Sequence, residues 1–476
     1  MFARSAAPVA LGPTEESGAS TAGKLSDPAW AWAPYEPDAQ RPWTLRWAGH
    51  LYRRAAFGAT WNQLQQALAD GPQRTVEKLL RGEADVAAFN RTYDQYEAAA
   101  GDSTAADALR AWWLRRMILT PHPLLEKMTL FWHHHFAVSN DKVDSALLMQ
   151  RHLQLLRSHA LGRFDVLLLA MARDPAALMW LDGNANRQAR PNDHFARALL
   201  ESFSLGPGGC SPQDVQQSAR AFTGWFVLQH QFRLIEHEHD FGSKRILGQE
   251  GNFDGDDVMR LVLQQPATPQ FLVRKLYRWL ITETHQPSDR LIAPLAESFA
   301  RDYDVAKLVE TMLRSNLFFS PAAYRRRIKC PIEFALGIIK GLEELVPTVQ
   351  LGYDLAVLGQ NLYHPPSIKG WEGGRAWINR STLLGRSNLA LAMLAGSGTY
   401  GEKLDPAAVA RKHGCADGGA AGRFLLDLFL QGDVDPKVAE ALLEPAARPS
   451  AASGGDAALP RELAHCVACL PEFHLA

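Results

Sequence analysis

The sequence predicts a mostly α-helical globular domain of many helices with one small β element. Three observations support this prediction. Apolar residues recur at helical spacing over most of the chain, N-cap residues such as Thr60 and Ser211 precede these stretches, and only residues 224–248 alternate apolar with polar side chains as strands do. With 47% hydrophobic and 21% charged residues, the 476-residue chain has an ordinary globular composition.

Taken in order, the chain divides into four parts. Residues 1–42 are rich in Pro, Ala, Ser and Gly without a period, and they predict a mobile N-terminal arm. Residues 43–446 predict one helical domain with a β-hairpin or flap near 225–248, residues 447–460 a low-complexity linker, and residues 461–476 a C-terminal helix. Helices of the domain are expected at 60–68, 73–80, 106–119, 124–133, 141–159, 164–173, 192–204, 212–222, 256–264, 269–282, 290–302, 304–315, 331–345 and 381–394.

Charge and hydropathy exclude several function classes. Lys plus Arg is 50 and Asp plus Glu is 51, so no basic excess favours a nucleic-acid partner. We interpret the short basic run at 325–329 as a solvated helix end. No stretch is long and apolar enough for a membrane helix, and the N-terminus lacks the apolar region of a signal peptide. We therefore expect a cytoplasmic protein by default, and the oligomeric state stays open.

Three consecutive histidines, His133, His134 and His135, lie within an aromatic and apolar segment, Glu126–Asn140. Burying a polar group without a partner costs roughly 2–7 kcal/mol, so the rings need a metal, carboxylates, backbone carbonyls or water. On a continuous helix His133 and His135 point about 200° apart, whereas in an extended segment they share a face. Both geometries remain open from the sequence.

Short motifs in a fixed order resemble the DUF1800 family, bacterial proteins without an assigned function. The resemblance covers about residues 43–395 and a closing motif near the C-terminus. The resemblance implies a DUF1501-type protein as a partner, because DUF1800 genes often lie beside the genes of DUF1501 proteins. Those proteins are similar to exported phosphatases and sulfatases. The motifs are Arg53–Thr60, Glu126–Asn140, Ser218–Trp225, His239–Lys244, Gly251–Asp257, Leu358–Gln360, His364–Pro366, Gly370–Trp371, Trp377–Asn379 and Leu470–Leu475.

One stretch departs from the family pattern. Residues 192–201 carry Ala198 where the family has a glutamate, and His194 where it has an asparagine. If both family carboxylates bind a metal, this chain has lost one ligand. His194, one helical turn before Ala198, is the candidate replacement.

Imidazoles with a carboxylate are typical of zinc, iron and copper sites. The 192–204 helix presents such groups on one face, and the flap adds more. The predicted metal ligands are His133, His135, Glu201, His239 and His194, and the predicted catalytic groups are Asp240, Lys244 and Arg197. A metal-free active site and a structural polar network, with Arg197–Glu201 as a plain ion pair, are the alternatives.

Two other stretches each allow a structural and a functional interpretation. Residues 252–257 are rich in Asp, but they lack the glycine of a calcium loop, so helix capping by Asp254 or Asp256 is favoured. The Trp, Pro and Gly of residues 359–380 predict a loop anchored to the core rather than an aromatic platform for a ligand.

We expect a metal-dependent enzyme, hydrolytic or oxidative, with a His and Glu site. The alternative is a non-catalytic assembly or carrier partner of an exported DUF1501-type protein, with which the chain would leave the cell.

Overall fold

Capped amphipathic helices build nearly the whole molecule in the computed structural model, which describes residues 24–82, 85–101, 106–401, 403–447 and 458–476. Thr60, Ser211 and Asp254 each accept a hydrogen bond from the backbone N–H three residues on, in reciprocal capping boxes. These predicted caps are confirmed, and so is the mostly α fold class.

The helices pack around one hydrophobic core. In chain order they are α1 (Pro28–Ala31), α2 (Leu45–Ala55), α3 (Trp61–Arg81), α4 (Val86–Gly101), α5 (Ala106–Leu119), α6 (Pro123–His135), α7 (Asn140–Val143), α8 (Ala146–Ser158), α9 (Phe164–Ala172), α10 (Pro175–Trp180), α11 (His194–Arg197) with a π-helix at Ala198–Ser204, α12 (Pro212–Ala221), α13 (Gly255–Leu263), α14 (Ala267–Leu280), α15 (Asp289–Phe299), α16 (Val305–Arg314), α17 (Pro331–Gly341), α18 (Thr348–Val357), α19 (Arg380–Leu394), α20 (Pro406–Lys412), α21 (Gly418–Leu430), α22 (Pro436–Ala447), α23 (Ala458–Cys469) and α24 (Pro471–His474). No helix in the described part of the chain has the length and apolar character that a bilayer span requires.

The predicted β element is confirmed as two adjacent hairpins. Strand β1 (Trp225–Leu228) pairs antiparallel with β2 (Gln231–Leu234). Strand β3 (Lys244–Ile246) pairs antiparallel with β4 (Gln249–Gly251). The turn between β1 and β2 has positive φ at both central residues, 51° and 59°, as the tightest hairpin turns require.

Several helices were not predicted from the sequence. They are α1, α2, α4, α10, α18 and α20–α22. The first residues of α21 read Gly-Gly-Ala-Ala-Gly, which have weak helix preference as a group. Buried Phe424, Leu425 and Phe429 lie further along that helix, so packing against the core outweighs the local preference.

The predicted N-terminal arm packs on the core over part of its length. Tyr35 is fully buried, and its backbone N–H donates to the carbonyl of Arg314 at 2.7 Å. The Trp32 indole donates to the carbonyl of Leu291 at 2.8 Å. Aromatic side chains therefore anchor this segment, which composition alone indicated as an arm. Residues 1–23 of the arm and residues 448–457 of the predicted linker lie outside the described residues.

Helix α6 is buried over almost its whole length. Its Lys127 forms a buried ion pair with Glu333, at the start of α17, and Glu333 also pairs with Arg327. Although burial by itself raises the pKa of Glu333, the adjacent Arg327 and Lys127 hold that pKa well below its usual value. This ion-pair network fixes the segment around Arg327 relative to α6.

The end of the chain packs beside the same segment. The backbone N–H of Lys329 donates to the carbonyl of His474 at 2.8 Å, and that of Ala476 donates to the carbonyl of Arg327 at 2.7 Å. Phe473 is buried at 2% exposure. The C-terminal residues therefore hold Arg327 and Lys329 in an extended backbone before α17.

Candidate functional site

The histidine segment is a continuous helix up to His135, so His133 and His135 point in different directions. His133 Nε2 accepts a hydrogen bond from the backbone N–H of Tyr363 at 3.2 Å. His135 Nε2 lies 3.0 Å from the carbonyl of Phe203 and donates to it. Of the two geometries left open by the sequence, the helical one is observed.

The predicted ligands near residue 194 form local ion pairs. The His194 side chain is 61% exposed and its Nδ1 lies 3.1 Å from Asp182 Oδ2. Arg197 pairs with Glu201 at 3.1 Å and with Asp193 at 2.6 Å. The π-helix after Arg197 changes the angular spacing, because its hydrogen bonds span five residues instead of four. Arg197 and Glu201 nevertheless remain in contact, whereas His194 bonds to Asp182 instead.

The flap side chains bond within the flap and its supports. His239 Nδ1 donates to the carbonyl of Thr223 at 2.8 Å. Asp240 Oδ2 accepts from Arg220 Nε at 2.7 Å. Lys244 is buried, and its Nζ donates to the carbonyls of Asp240 at 2.5 Å and Gly242 at 3.0 Å. These three predicted site residues stabilise the hairpins.

The structure does not bring the predicted metal ligands together. Among the residues that it describes, no three His, Cys, Asp or Glu side chains are placed to hold a metal ion. In this arrangement the predicted set does not fit a metal, and metal binding stays a prediction. The set comprises His133, His135, Glu201, His239 and His194.

Among the predicted site residues, only His135 lines a cavity that lies beside α6. This cavity of about 230 Å³ lies between α6, α14 and residues 360–377. We call it the tryptophan cleft, because its apolar wall consists of Phe131, Trp279, Trp371 and Trp377. Trp371 and Trp377 are 5% and 8% exposed, so they anchor their loop, as predicted, and also line the cleft.

Lys275 and His135 form a hydrogen-bonded pair in this cleft. Lys275 Nζ lies 3.0 Å from His135 Nδ1. Because His135 Nε2 carries the proton that it donates to Phe203, Nδ1 has a free lone pair for the ammonium group. Burial, and secondarily Arg278, lower the pKa of Lys275 to about 8. Burial also holds the pKa of His135 well below its usual value, so the proton of the pair lies on Lys275 at neutral pH.

The loop closes on α6 by a backbone contact at Gly370. Its φ is +71°, and a Cβ there would lie 2.4 Å from the carbonyl oxygen of His134. Glycine is therefore required for this approach. Burial lowers the pKa of His134, which also lines the cleft, to about 3, so its ring is neutral.

Cationic side chains border the cleft. Lys275, Arg278, Arg327 and Lys369 line it, against two carboxylates, Glu283 and Glu372. Arg327 is 4% exposed, and its Nε has no hydrogen-bond partner within the described structure. That Nε is itself buried, and Arg327 already pairs with Glu333. The other three cations have no carboxylate partner in the described part of the chain, so the cleft is suited to an anion.

The interpretation of residues 325–329 as a solvated helix end was wrong for two of its residues. Arg327 and Lys329 are each 4% exposed. Their segment is extended and hydrogen-bonded to the C-terminal residues, an arrangement that local charge density does not indicate.

Sequence reasoning also missed Lys275, Arg278 and Trp279. They stand at positions i, i+3 and i+4 of α14, the spacing of one helix face, and all three line the cleft. This spacing was the available signal, but the same pattern describes many solvated helix faces.

A family model described as "Protein of unknown function (DUF1800)" matches residues 50–475. Comparisons with curated proteins and with solved structures found no match.

Proposed function

Because this chain belongs to the DUF1800 family, whose description assigns no activity, we propose its function from the site alone. We propose an enzyme that acts on an organic anion in the tryptophan cleft, with Lys275 as the proton-transfer group. The observation that carries this proposal is the Lys275–His135 pair at 3.0 Å on the wall of the cleft. Among the described residues no carboxylate pairs with this ammonium group.

The chemistry suits proton transfer near neutral pH. A general acid or base works best when its pKa lies near the working pH, and the pKa of Lys275 is about 8. His135 orients the amine by accepting one of its protons. Phe131 and Trp371 line the same cleft as the amine, and the bordering cations attract an anionic substrate.

The test is the pH dependence of acylation at individual lysines, read by peptide mass spectrometry. We expect Lys275 to be acylated with a midpoint near pH 8. Lys127 is the matched control, since burial also lowers its pKa to about 8 but it is fully buried against Glu333. It should stay unmodified in the folded protein. A midpoint for Lys275 near the ordinary value of about 10.4 would overturn the proposal.

A metal-dependent reaction, hydrolytic or oxidative, stays a prediction for this chain. Zinc, iron or copper would need ligands beyond the pairwise contacts described above, so no step of the proposal passes through a metal. Metal analysis of the purified protein, alongside a His133→Ala/His135→Ala variant, tests it.

The second candidate is an assembly or carrier partner of an exported DUF1501-type protein. An exposed apolar stripe favours it: Val349, Tyr353 and Val357 on α18 are 53%, 46% and 83% exposed. On α19, the next helix in the chain, Leu384 is 63% exposed. Exposed apolar patches of this kind often mark protein interfaces. Co-purification with a DUF1501-type protein, lost in a Val357→Glu variant, tests this candidate.

A further inference from the structure

A second cavity adjoins the tryptophan cleft. It has a volume of about 620 Å³ and is lined by Arg278, Arg325, Arg326, Arg327 and Arg375, so we call it the arginine basin. The two cavities share a wall that includes Arg278, Arg327 and the Gly373–Gly374 backbone. One ligand of moderate length can therefore occupy both.

The basin concentrates positive charge in a nearly neutral protein. The chain has a formal net charge of −1, whereas five arginines and two carboxylates, Glu283 and Glu372, line the basin. Glu283 Oε1 already accepts from the backbone N–H of Ile328 at 2.5 Å. The local excess of cations favours an anion with more than one negative charge.

Most of these guanidinium groups have free donors. Arg325 pairs with Asp433 at 3.1 Å. Among the described residues, Arg278 and Arg326 donate only to backbone carbonyls, at 3.3 Å each. Within the described residues, Arg375 has no ion-pair partner. Arg327 lines both cavities, but it is 4% exposed and already pairs with Glu333.

The two cavities have complementary chemistries. Guanidinium forks bind phosphate and sulfate oxygens through paired N–H donors. The apolar wall of the cleft, which includes Trp371 and Trp377, suits a flat or ring-shaped apolar group. A ligand that satisfies both has a ring at one end and an oxyanion at the other.

We propose that the substrate is a phosphate or sulfate ester of a ring compound, with the ring in the tryptophan cleft and the tetrahedral oxyanion in the arginine basin. That this ligand is a substrate rests on the proposed function, while its binding rests on the two cavities alone.

The test is isothermal titration of four probes: phenyl phosphate, phenyl sulfate, benzoate and inorganic phosphate. We expect a phenyl ester to bind at least about tenfold more tightly than inorganic phosphate, because the ring buries apolar surface. The relative affinities of the two esters distinguish phosphate from sulfate. Benzoate binding as tightly as both esters would overturn the oxyanion assignment.

Paired arginine variants locate the anion. Arg326→Ala/Arg375→Ala should weaken ester binding about tenfold or more, since the variant lacks two groups that donate charged hydrogen bonds to the oxyanion. The control, Arg290→Ala/Arg301→Ala, removes the same charge from exposed positions that line neither cavity. It should change the affinity about twofold or less. Equal weakening in both variants, or no ester binding to the wild type, would overturn the inference. Circular dichroism establishes that each variant is folded.

The ligand assignment and the proposed function can fail independently of each other. If the esters need the basin arginines but Lys275 is acylated like an ordinary lysine, the ligand assignment stands and the proton-transfer role fails. If Lys275 titrates near pH 8 but the two arginine variants bind alike, the ligand assignment fails and the proton-transfer role stands.

Discussion

Two lysines with similarly lowered pKa values have different environments. Lys127 and Lys275 both have a pKa of about 8 because of burial. Lys127 pairs with Glu333 and donates to the carbonyl of Ala56 at 2.9 Å. Lys275 has no carboxylate partner in the part of the chain that the structure describes, lines a cavity and lies near the cationic Arg278. The charge on Lys275 therefore opposes folding, as functional groups often do.

The amount by which this charge lowers the free energy of unfolding depends on pH. The folded pKa of Lys275, about 8, lies below the unfolded value of about 10.4, so between them the unfolded state binds more protons and stability rises with pH. The Lys275→Met variant lacks this increase of stability with pH. From pH 8 to about pH 10, we expect the wild type to gain about 2 kcal/mol relative to the variant.

Urea unfolding at several pH values measures this difference. Lys307→Met, which removes an exposed lysine, is the control for the loss of one positive charge. A pH-independent difference between Lys275→Met and the wild type would contradict the pKa assignment.

At the scale of elements, the site depends on how closely one loop approaches α6. The loop of residues 359–379 places Trp371 against the rings of His133 and His134, at centroid distances of 5.7 and 5.9 Å. Gly370 permits this contact because it has no Cβ. Hydrogen bonds at Tyr363 hold the start of the loop against α6, and the close approach at Gly370 then sets the shape of the cleft.

Gly370→Ala should therefore open the cleft. We expect a loss of about 2–3 kcal/mol in the free energy of unfolding, from backbone strain and from the contact with His134. Weaker binding of any cleft ligand should accompany it. Gly248→Ala is the matched control, since Gly248 has a φ of +82° but no neighbouring heavy atom within 4 Å. It should lose only about 1 kcal/mol. Equal losses in both variants would show that the contact with His134 is unimportant.

At the scale of the whole molecule, the C-terminal residues belong to the same packed unit as the site. Phe473 contacts Phe334 of α17 and Phe429 of α21, at centroid distances of 5.6 and 5.8 Å. Lys329 Nζ lies 3.8 Å from the centre of its ring. The separate C-terminal helix predicted from the sequence thus packs on the helical domain.

Phe473→Ala should destabilise the whole chain by about 3–5 kcal/mol, as large truncations in a core do. The unfolding curve should shift as one transition, because the C-terminal residues share the core. Phe241→Ala, at a position that is 60% exposed, should change stability by about 0.5 kcal/mol or less. A separate early transition for Phe473→Ala would indicate that the C-terminal residues unfold independently.

Local pattern by itself determined the helical class, the flap near residues 225–248 and several caps, because apolar periodicity and capping act over a few residues. The family also followed from short motifs, and its match over residues 50–475 confirms it. Only the tertiary structure paired Lys275 with His135, which lie 140 residues apart in the chain. It also buried Arg327, and it engaged His239 and Lys244 in hydrogen bonds to backbone carbonyls of the flap and its supports. The physical reason is that a side chain's partner and burial depend on contacts between distant segments, which periodicity within one segment does not encode.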